Sequence, residues 1–304
     1  MPFEMKWQLT RRHLVAGSLA FFGSGRLALA TTPTRVVSMD YGLAQTLIEI
    51  GLPLVGLVST EDWPLWAVEP ALPAGIVNIG GQTQPNLEQI ARLRPDLIVS
   101  TPYLETMRVR LETIAPVESF AIHDVGGPPY PHIVEETRRL GDLLGRTREA
   151  DNLIAQTQSA LAEARIRCKP LREAPLVIIN FLDTRHIRVY GTGGNIGDTL
   201  DALGLKNGWT GETNSWGFAT AGYEDLAGVL PGSRLIVMDP VPPDVFPSLS
   251  GSPLWQSLPF SRDGGISRMP VVLMFGTLPS MTRLARFLVA IAEGHDISGE
   301  IAQP

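Results

Sequence analysis

Apolar residues along this chain fall into two kinds of run. Short unbroken blocks such as VVSMD (36–40), LIVS (97–100), LVIINF (176–181) and RLIVM (234–238) suit strands covered on both faces of a parallel sheet. Between the blocks, apolar positions recur every three or four residues, as in LAQTLIEIGL (43–52) and IGDTLDALGL (196–205), which predicts amphipathic helices. The pattern is written twice. Thr46-Leu47 and Gly51-Leu52 fall in register with Thr199-Leu200 and Gly204-Leu205, and PNLEQIARLRPDLIVS (85–100) matches AGYEDLAGVLPGSRLIVM (221–238) with Glu88 opposite Glu224. Each half reads strand, helix, helix, strand, so two α/β lobes with mostly parallel central sheets are expected.

Between the halves, residues 132–166 keep helical spacing through Ile133, Leu140, Leu143, Leu144, Leu153, Ile154, Thr157 and Leu161. Prolines 128, 129 and 131 precede the run and prolines 170 and 175 follow it. A continuous helix there would reach roughly 45 Å at about 1.5 Å per residue, enough to brace two lobes, with Gly141 and Gly145 as sites for a kink. The expected organisation is a leader over 1–30, an N-terminal lobe over 31–131, one long linking helix over 132–168 and a C-terminal lobe over 169–304.

The leader changes the compartment. Thr10-Arg11-Arg12 with Leu14 precedes a weakly apolar stretch too short for a bilayer span, and Ala28-Leu29-Ala30 has the small-residue pattern of a cleavage site. This predicts twin-arginine export to the periplasm with cleavage after Ala30. The net charge of −6 argues against nucleic acid as a partner. With Cys168 the only cysteine, no internal disulfide can form. No later stretch is long and apolar enough to span a bilayer, so a chain that is not inserted in the membrane, and a monomer, is expected.

Enzyme signatures are missing: there is no G-x-S-x-G, H-E-x-x-H, Walker loop or C-x-x-C. GTGGNIG (191–197) departs from a dinucleotide loop at Ile196 and reads as a turn opening a helix. His123, His132, His186 and His295 lack paired ligand spacing and read as solvated or capping residues rather than a metal site. Aromatic residues instead stand in loops after strands: Tyr41 after VVSMD, Trp63 and Trp66 in EDWPLWAVEP, Tyr103 after LIVSTP, Trp216 in GETNSWGF. Ligands of open α/β sheets bind beyond the strand carboxyl ends, which aims Trp66, Tyr103 and Trp216 at a cleft. Trp63 and Trp209 stay open between structural packing, in the core or at the hinge, and a place in the cleft. Such a cleft suits a bulky, partly apolar solute.

The leader, the repeated lobes and the stretches LWAVEPALP (65–73), TQPNLEQIARLRPDLIV (83–99), GLKNGWTGETNSWG (204–217) and SPLWQSLPF (252–260) resemble the periplasmic ferrichrome and hydroxamate siderophore-binding proteins of iron(III)-hydroxamate ABC importers, class III solute-binding proteins. The resemblance covers essentially the whole mature chain. It implies two α/β lobes joined by one long helix, with little hinge motion, and an Fe(III)-hydroxamate siderophore in the cleft for delivery to an inner-membrane ABC permease. It also implies that Tyr41, Trp66, Tyr103, Asn214 and Trp216 contact the ligand. Gln82 stands where the family has an arginine that donates to hydroxamate oxygens, and Leu273 and Phe275 stand where it has a pocket tryptophan and tyrosine. No cofactor is implied, because the siderophore itself fills the coordination shell of the iron. One acidic residue per lobe, Glu105 and Asp244, opens a surface helix after its strand and is expected to meet the permease.

Two other readings stand beside this one. A cobalamin or haem binder of the same fold would use Tyr41 or Tyr103 as an axial ligand to haem. A periplasmic hydrolase or redox enzyme would need a nucleophile–base pair or a cofactor loop, and neither is written here.

Overall fold

The structure, a computed structural model, describes residues 32–297 apart from 53, 124, 125, 263, 264 and 296. The expected leader and its cleavage site lie outside these residues. The N-terminal lobe runs β1 (Val36–Ser38), α1 (Tyr41–Glu49), β2 (Leu54–Leu57), α2 (Trp63–Trp66), β3 (Val77–Asn78), α3 (Leu87–Leu93), β4 (Leu97–Ser100), α4 (Glu105–Leu111) and β5 (Val117–Ser119). Its strands form one sheet in the order β3-β2-β1-β4-β5, every pair parallel. Helices on both faces explain why LIVS is buried at all four positions.

The linking segment is two helices rather than the single one expected: α5 (Pro129–Leu143) and α6 (Thr147–Arg167). The chain turns at Gly145, whose φ of +63° lies in the left-handed region. Gly141 makes the return possible, since a Cβ there would stand 2.5 Å from Cβ of Ala150.

The C-terminal lobe runs β6 (Leu176–Phe181), β7 (His186–Tyr190), α7 (Asn195–Leu203), β8 (Phe218–Gly222), β9 (Arg234–Met238), α8 (Val245–Ser250), α9 (Pro253–Ser257), α10 (Pro259–Arg262), β10 (Ile266–Met269) and α11 (Leu278–Ala292). The repeat is visible in the pairing: β1 lies parallel beside β4 with Val37 opposite Ile98, and β6 lies parallel beside β9 with Ile178 opposite Ile236. It breaks at the next strand. In the order β10-β9-β6-β7-β8, β7 runs antiparallel to both β6 and β8. The tight turn through Asp183, whose carboxylate accepts from the amides of Arg185 and His186, returns the chain as a hairpin before α7. The segment expected as a helix around YEDLAG is a 3₁₀ turn, Tyr223–Gly228.

The lobes share a polar seam beneath the cleft. Thr277, the residue before α11, donates to the carbonyl of Gly42 at 2.9 Å, and its Oγ1 lies 2.8 Å from Oγ1 of Thr46 on α1. Ser280 donates to Oε1 of Gln45 at 2.8 Å, and Gln45 Nε2 donates to the carbonyl of Glu69 at 2.6 Å. Glu69 in turn pairs with Arg283 and Arg286 of α11. Apart from the exposed Arg286, these groups are buried or partly buried and mutually satisfied, which resists hinge opening because separating them breaks several hydrogen bonds at once.

Candidate ligand-binding cleft

The strand carboxyl ends of both lobes feed one aromatic cluster. Tyr103 sits in the turn between β4 and α4 and is 61% exposed. Its ring meets Trp216, from the loop before β8, edge to face at 6.0 Å between centroids. Trp216 stacks on Phe218 with 13° between planes and a 6.3 Å separation, and both meet Phe275 edge to face at 6.2 Å. Of the residues expected to bind ligand, the structure brings together Tyr103, Trp216 and Phe275. Phe218 is an addition; its place two residues after Trp216 at the start of a strand was the available signal.

Backbone geometry holds Trp216 in position. Asn214 spends its side-chain oxygen on the amides of Trp216 (3.0 Å) and Phe218 (3.2 Å), so it shapes the turn rather than presenting that oxygen to the cleft. Gly217 has φ of +76°, and its amide closes the turn by donating to the carbonyl of Asn214 at 2.9 Å. The loop GTGGNIG packs against it: a Cβ on Gly194 would stand 2.4 Å from the carbonyl oxygen of Trp216. The glycines of that loop therefore seat the tryptophan turn, which explains why they resemble a dinucleotide loop without completing one.

The other expected residues are placed differently. Tyr41 opens α1, donates its hydroxyl to the carbonyl of Ser59 and packs edge to face on Trp63 at 5.3 Å. Burial first, then Asp62 and Glu61, push its phenol well above the ordinary range. Trp63 is core, with Nε1 donating to the carbonyl of Pro70 at 3.0 Å, and Trp209 packs beside the core of the C-terminal lobe. Trp66, in α2, is 41% exposed and has no ring partner among the described residues. Gln82 Nε2 donates to the carbonyl of Met39, at the carboxyl end of β1, at 3.2 Å. Leu273 departs from its expected role: it is 8% exposed and belongs to the hydrophobic core, while the neighbouring Phe275 carries the cleft contact. Glu105 opens α4 with its carboxylate 3.6 Å from Arg108, and Asp244 occupies the N-cap position of α8 without a capping hydrogen bond from its side chain.

His123 is not the solvated histidine expected. It meets the ring of Phe275 at 6.0 Å and lies against the backbone of Phe275 and Gly276, and burial pulls its pKa below the ordinary value. Next to the cluster, Arg188 of β7 lies over the ring of Phe218 at 4.8 Å. Another concavity, between α6 and α11, is lined by Glu163, Arg167, Arg286 and Glu293. Its charges are already paired, Arg167 Nε standing 2.8 Å from Glu293, and it offers no aromatic wall. Among the described residues there is no group of three or more His, Cys, Asp or Glu placed to hold a metal ion, and no helix long and apolar enough to cross a membrane.

A two-lobed α/β body with a cleft beyond its strand ends defines an extracytoplasmic solute receptor, and the comparisons agree. The family of periplasmic binding proteins matches residues 36–272, and the chain belongs to it. It is 29% identical over 261 residues to the iron(3+)-hydroxamate-binding protein FhuD of Escherichia coli (strain K12), covering 86% of this chain and 88% of that one. It is 28% identical over 276 residues to the achromobactin-binding periplasmic protein of Dickeya dadantii (strain 3937), covering 83% and 85%. Its fold is similar to that of the Fe3+-Desferal-bound siderophore binding protein FhuD from Vibrio cholerae, with a TM-score of 0.77 at 23% identity over 86% of this chain and 97% of that one.

Proposed function

We propose that this protein is the periplasmic binding component of an ABC importer and carries an Fe(III)-hydroxamate siderophore between its lobes to an inner-membrane permease. The observation that carries the reading is the contact of Tyr103 with Trp216, one residue from each lobe, beside Phe275. Rings from both walls offer a bulky chelate apolar faces and edges without a deep pocket. The near full-length likeness to the iron(3+)-hydroxamate and achromobactin-binding proteins supports an iron chelate as the solute. The iron is cargo, held by the chelator and needing no protein ligand. Haem is the weaker reading: the hydroxyl of Tyr41 is already given to Ser59 with its phenolate disfavoured, which leaves Tyr103, whose ring is engaged with Trp216, as the remaining axial candidate.

Tryptophan fluorescence titrated with ferric siderophores tests this. Saturable quenching by a ferric hydroxamate, with no shift or sharpening of the Soret band of added hemin, is expected. A shifted, sharpened Soret band without response to any ferric siderophore would move the protein to the haem branch.

A further inference from the structure

The strand HIRVY alternates. Ile187 and Val189 enter the core, while Arg188 and Tyr190 take the opposite face of β7. Arg188 is half-buried there. Its guanidinium covers Phe218, the ring stacked on Trp216, and Nη1 reaches the thioether of Met274 at 3.2 Å, a weak acceptor. The phenol of Tyr190, with which Arg188 shares a side-chain hydrogen bond, is neutral, its pKa pushed up to about 12 by burial. The Nε of Arg188 is enclosed with no partner.

Two other arginines of this lobe are ion-paired, whereas the partly buried Arg234 of β9, like Arg188, forms no ion pair among the described residues. Arg268 pairs with Asp239, and Arg283 pairs with Glu69 and donates to the carbonyl of Val271. Among the described residues no carboxylate forms an ion pair with Arg188. Its cross-strand partners are Asn180 and Thr220. Asn180 is already committed, donating to the carbonyl of Met238 and accepting from the hydroxyl of Tyr190. At the strand ends of the N-terminal lobe, Gln82 supplies a neutral amide whose donor goes to Met39.

A half-buried guanidinium without a counter-ion is partly desolvated, and an arriving anion offsets that cost. The fork of Arg188 suits a carboxylate. We propose that Arg188 reads a carboxylate on the solute, so that the preferred cargo is a ferric chelate bearing anionic carboxylate groups, such as a citrate-hydroxamate, rather than a neutral tris-hydroxamate. The inference rests on the ferric siderophore reading above and narrows it to a charge class.

The test titrates the wild type, Arg188→Gln and Arg188→Lys with two probes, ferric aerobactin, a citrate-dihydroxamate, and ferrichrome, a neutral tris-hydroxamate. Fluorescence quenching is read at low salt and at about 0.5 M NaCl. Aerobactin is expected to bind the wild type more tightly than ferrichrome and to weaken with salt. Arg188→Gln should lose about tenfold or more for aerobactin and little for ferrichrome, and Arg188→Lys should fall between, keeping charge without the fork. Equal losses for both probes would reduce Arg188 to ring packing on Phe218 and overturn the proposal, as would unchanged binding of both. Should a variant fail to fold, the salt dependence of the wild type decides the matter by itself: indifference to salt with aerobactin overturns the charge assignment. A wild type that binds neither chelate removes the siderophore reading itself, a result separable from binding both without preference.

Discussion

Tyr103 and Trp216 touch edge to face at 6.0 Å although they belong to different lobes and lie on separate loops. Tyr103 is 61% exposed and Trp216 stacks on Phe218, which borders the hydrophobic core, so their meeting puts an exposed ring of one lobe against a supported ring of the other. Tyr103→Ala or Trp216→Ala should weaken a ferric siderophore by on the order of 2 kcal/mol, roughly thirtyfold. Because the rings share a contact, the double variant should lose less than the sum. Calorimetric titration of the three variants reads this. Full additivity would mean that the rings act on the ligand independently.

The turn that carries Trp216 leans on Gly194, which also stands at the N-cap of α7 and accepts from the amide of Asp198 at 2.9 Å. A methyl group on Gly194 would press on the carbonyl oxygen of Trp216 from 2.4 Å, closer than side-chain carbons approach backbone, and the neighbour is not a flexible side chain that can swing away. Gly194→Ala should therefore cost about 1–3 kcal/mol of stability and also move the ring. Expected are a lowered urea midpoint and a changed tryptophan emission, together with weakened ligand quenching. Loss of stability with unaltered binding would detach the glycine loop from the site.

Much of this was legible because buried parallel strands announce themselves as unbroken apolar blocks. LIVS and RLIVM became adjacent partners of the first strand in each lobe. The aromatic residues after strand ends were readable too, since Tyr103 and Trp216 have no helical or strand periodicity to satisfy. The antiparallel hairpin was not, because HIRVY alternates as any half-exposed strand does, and nothing in that alternation distinguishes Arg188 facing water from Arg188 facing a cleft. Leu273 and Phe275 share a two-residue spacing in an irregular segment, where periodicity does not say which one turns inward. The linker's spacing persists through Gly145 because both α5 and α6 bury one face, so a break leaves the pattern almost unchanged.

Two buried carboxyls, Asp40 and Asp198, add stability as pH falls toward about 4, helped by Glu49, whose pKa burial also raises, and opposed by His123, whose lowered pKa costs stability as pH falls below about 6.5. Asp198 accepts from the amide of Tyr130 at 2.8 Å and Asp40 from that of Leu43 at 2.9 Å, yet burial raises each pKa to about 6. A raised folded-state value means the fold holds the proton more tightly than the unfolded chain does. The associated stability is complete below the ordinary value of 3.8 and is lost as pH rises through about 6. Asp183 acts elsewhere: its pKa, held down to about 2 chiefly by His186, concerns only strongly acidic solution. The contribution of Asp198 is therefore read as the difference in urea midpoint between wild type and an uncharged variant at two pH values, which cancels the opposing contribution of His123. Asp198→Asn, which keeps an acceptor for Tyr130 without the charge, should gain on the order of 1 kcal/mol at about pH 7.5 and little at about pH 4. A variant less stable at both values would show that the ionised form is the one the fold needs.

The last expectation concerns the face offered to a permease. Glu105 and Asp244 follow equivalent parallel strands, β4 and β9, and stand at the first turn of α4 and the N-cap of α8. A helix dipole alone favours an acid at either place. For Asp244 that explanation is incomplete, since its side chain makes no capping hydrogen bond to α8. For Glu105 it is shared with an intrahelical ion pair to Arg108, which at this exposure contributes little. Paired acids at corresponding positions of a pseudo-symmetric body suit two cationic contacts, one on each half of a permease. Glu105→Ala with Asp244→Ala should cut siderophore-dependent uptake and the stimulation of permease ATPase in vesicles by about tenfold, with each single change costing less. Ligand affinity, measured separately by fluorescence quenching, should stay at the wild-type level. Transport by the double variant at the wild-type rate would leave both acids as helix-terminal residues and place the docking surface elsewhere on the lobes.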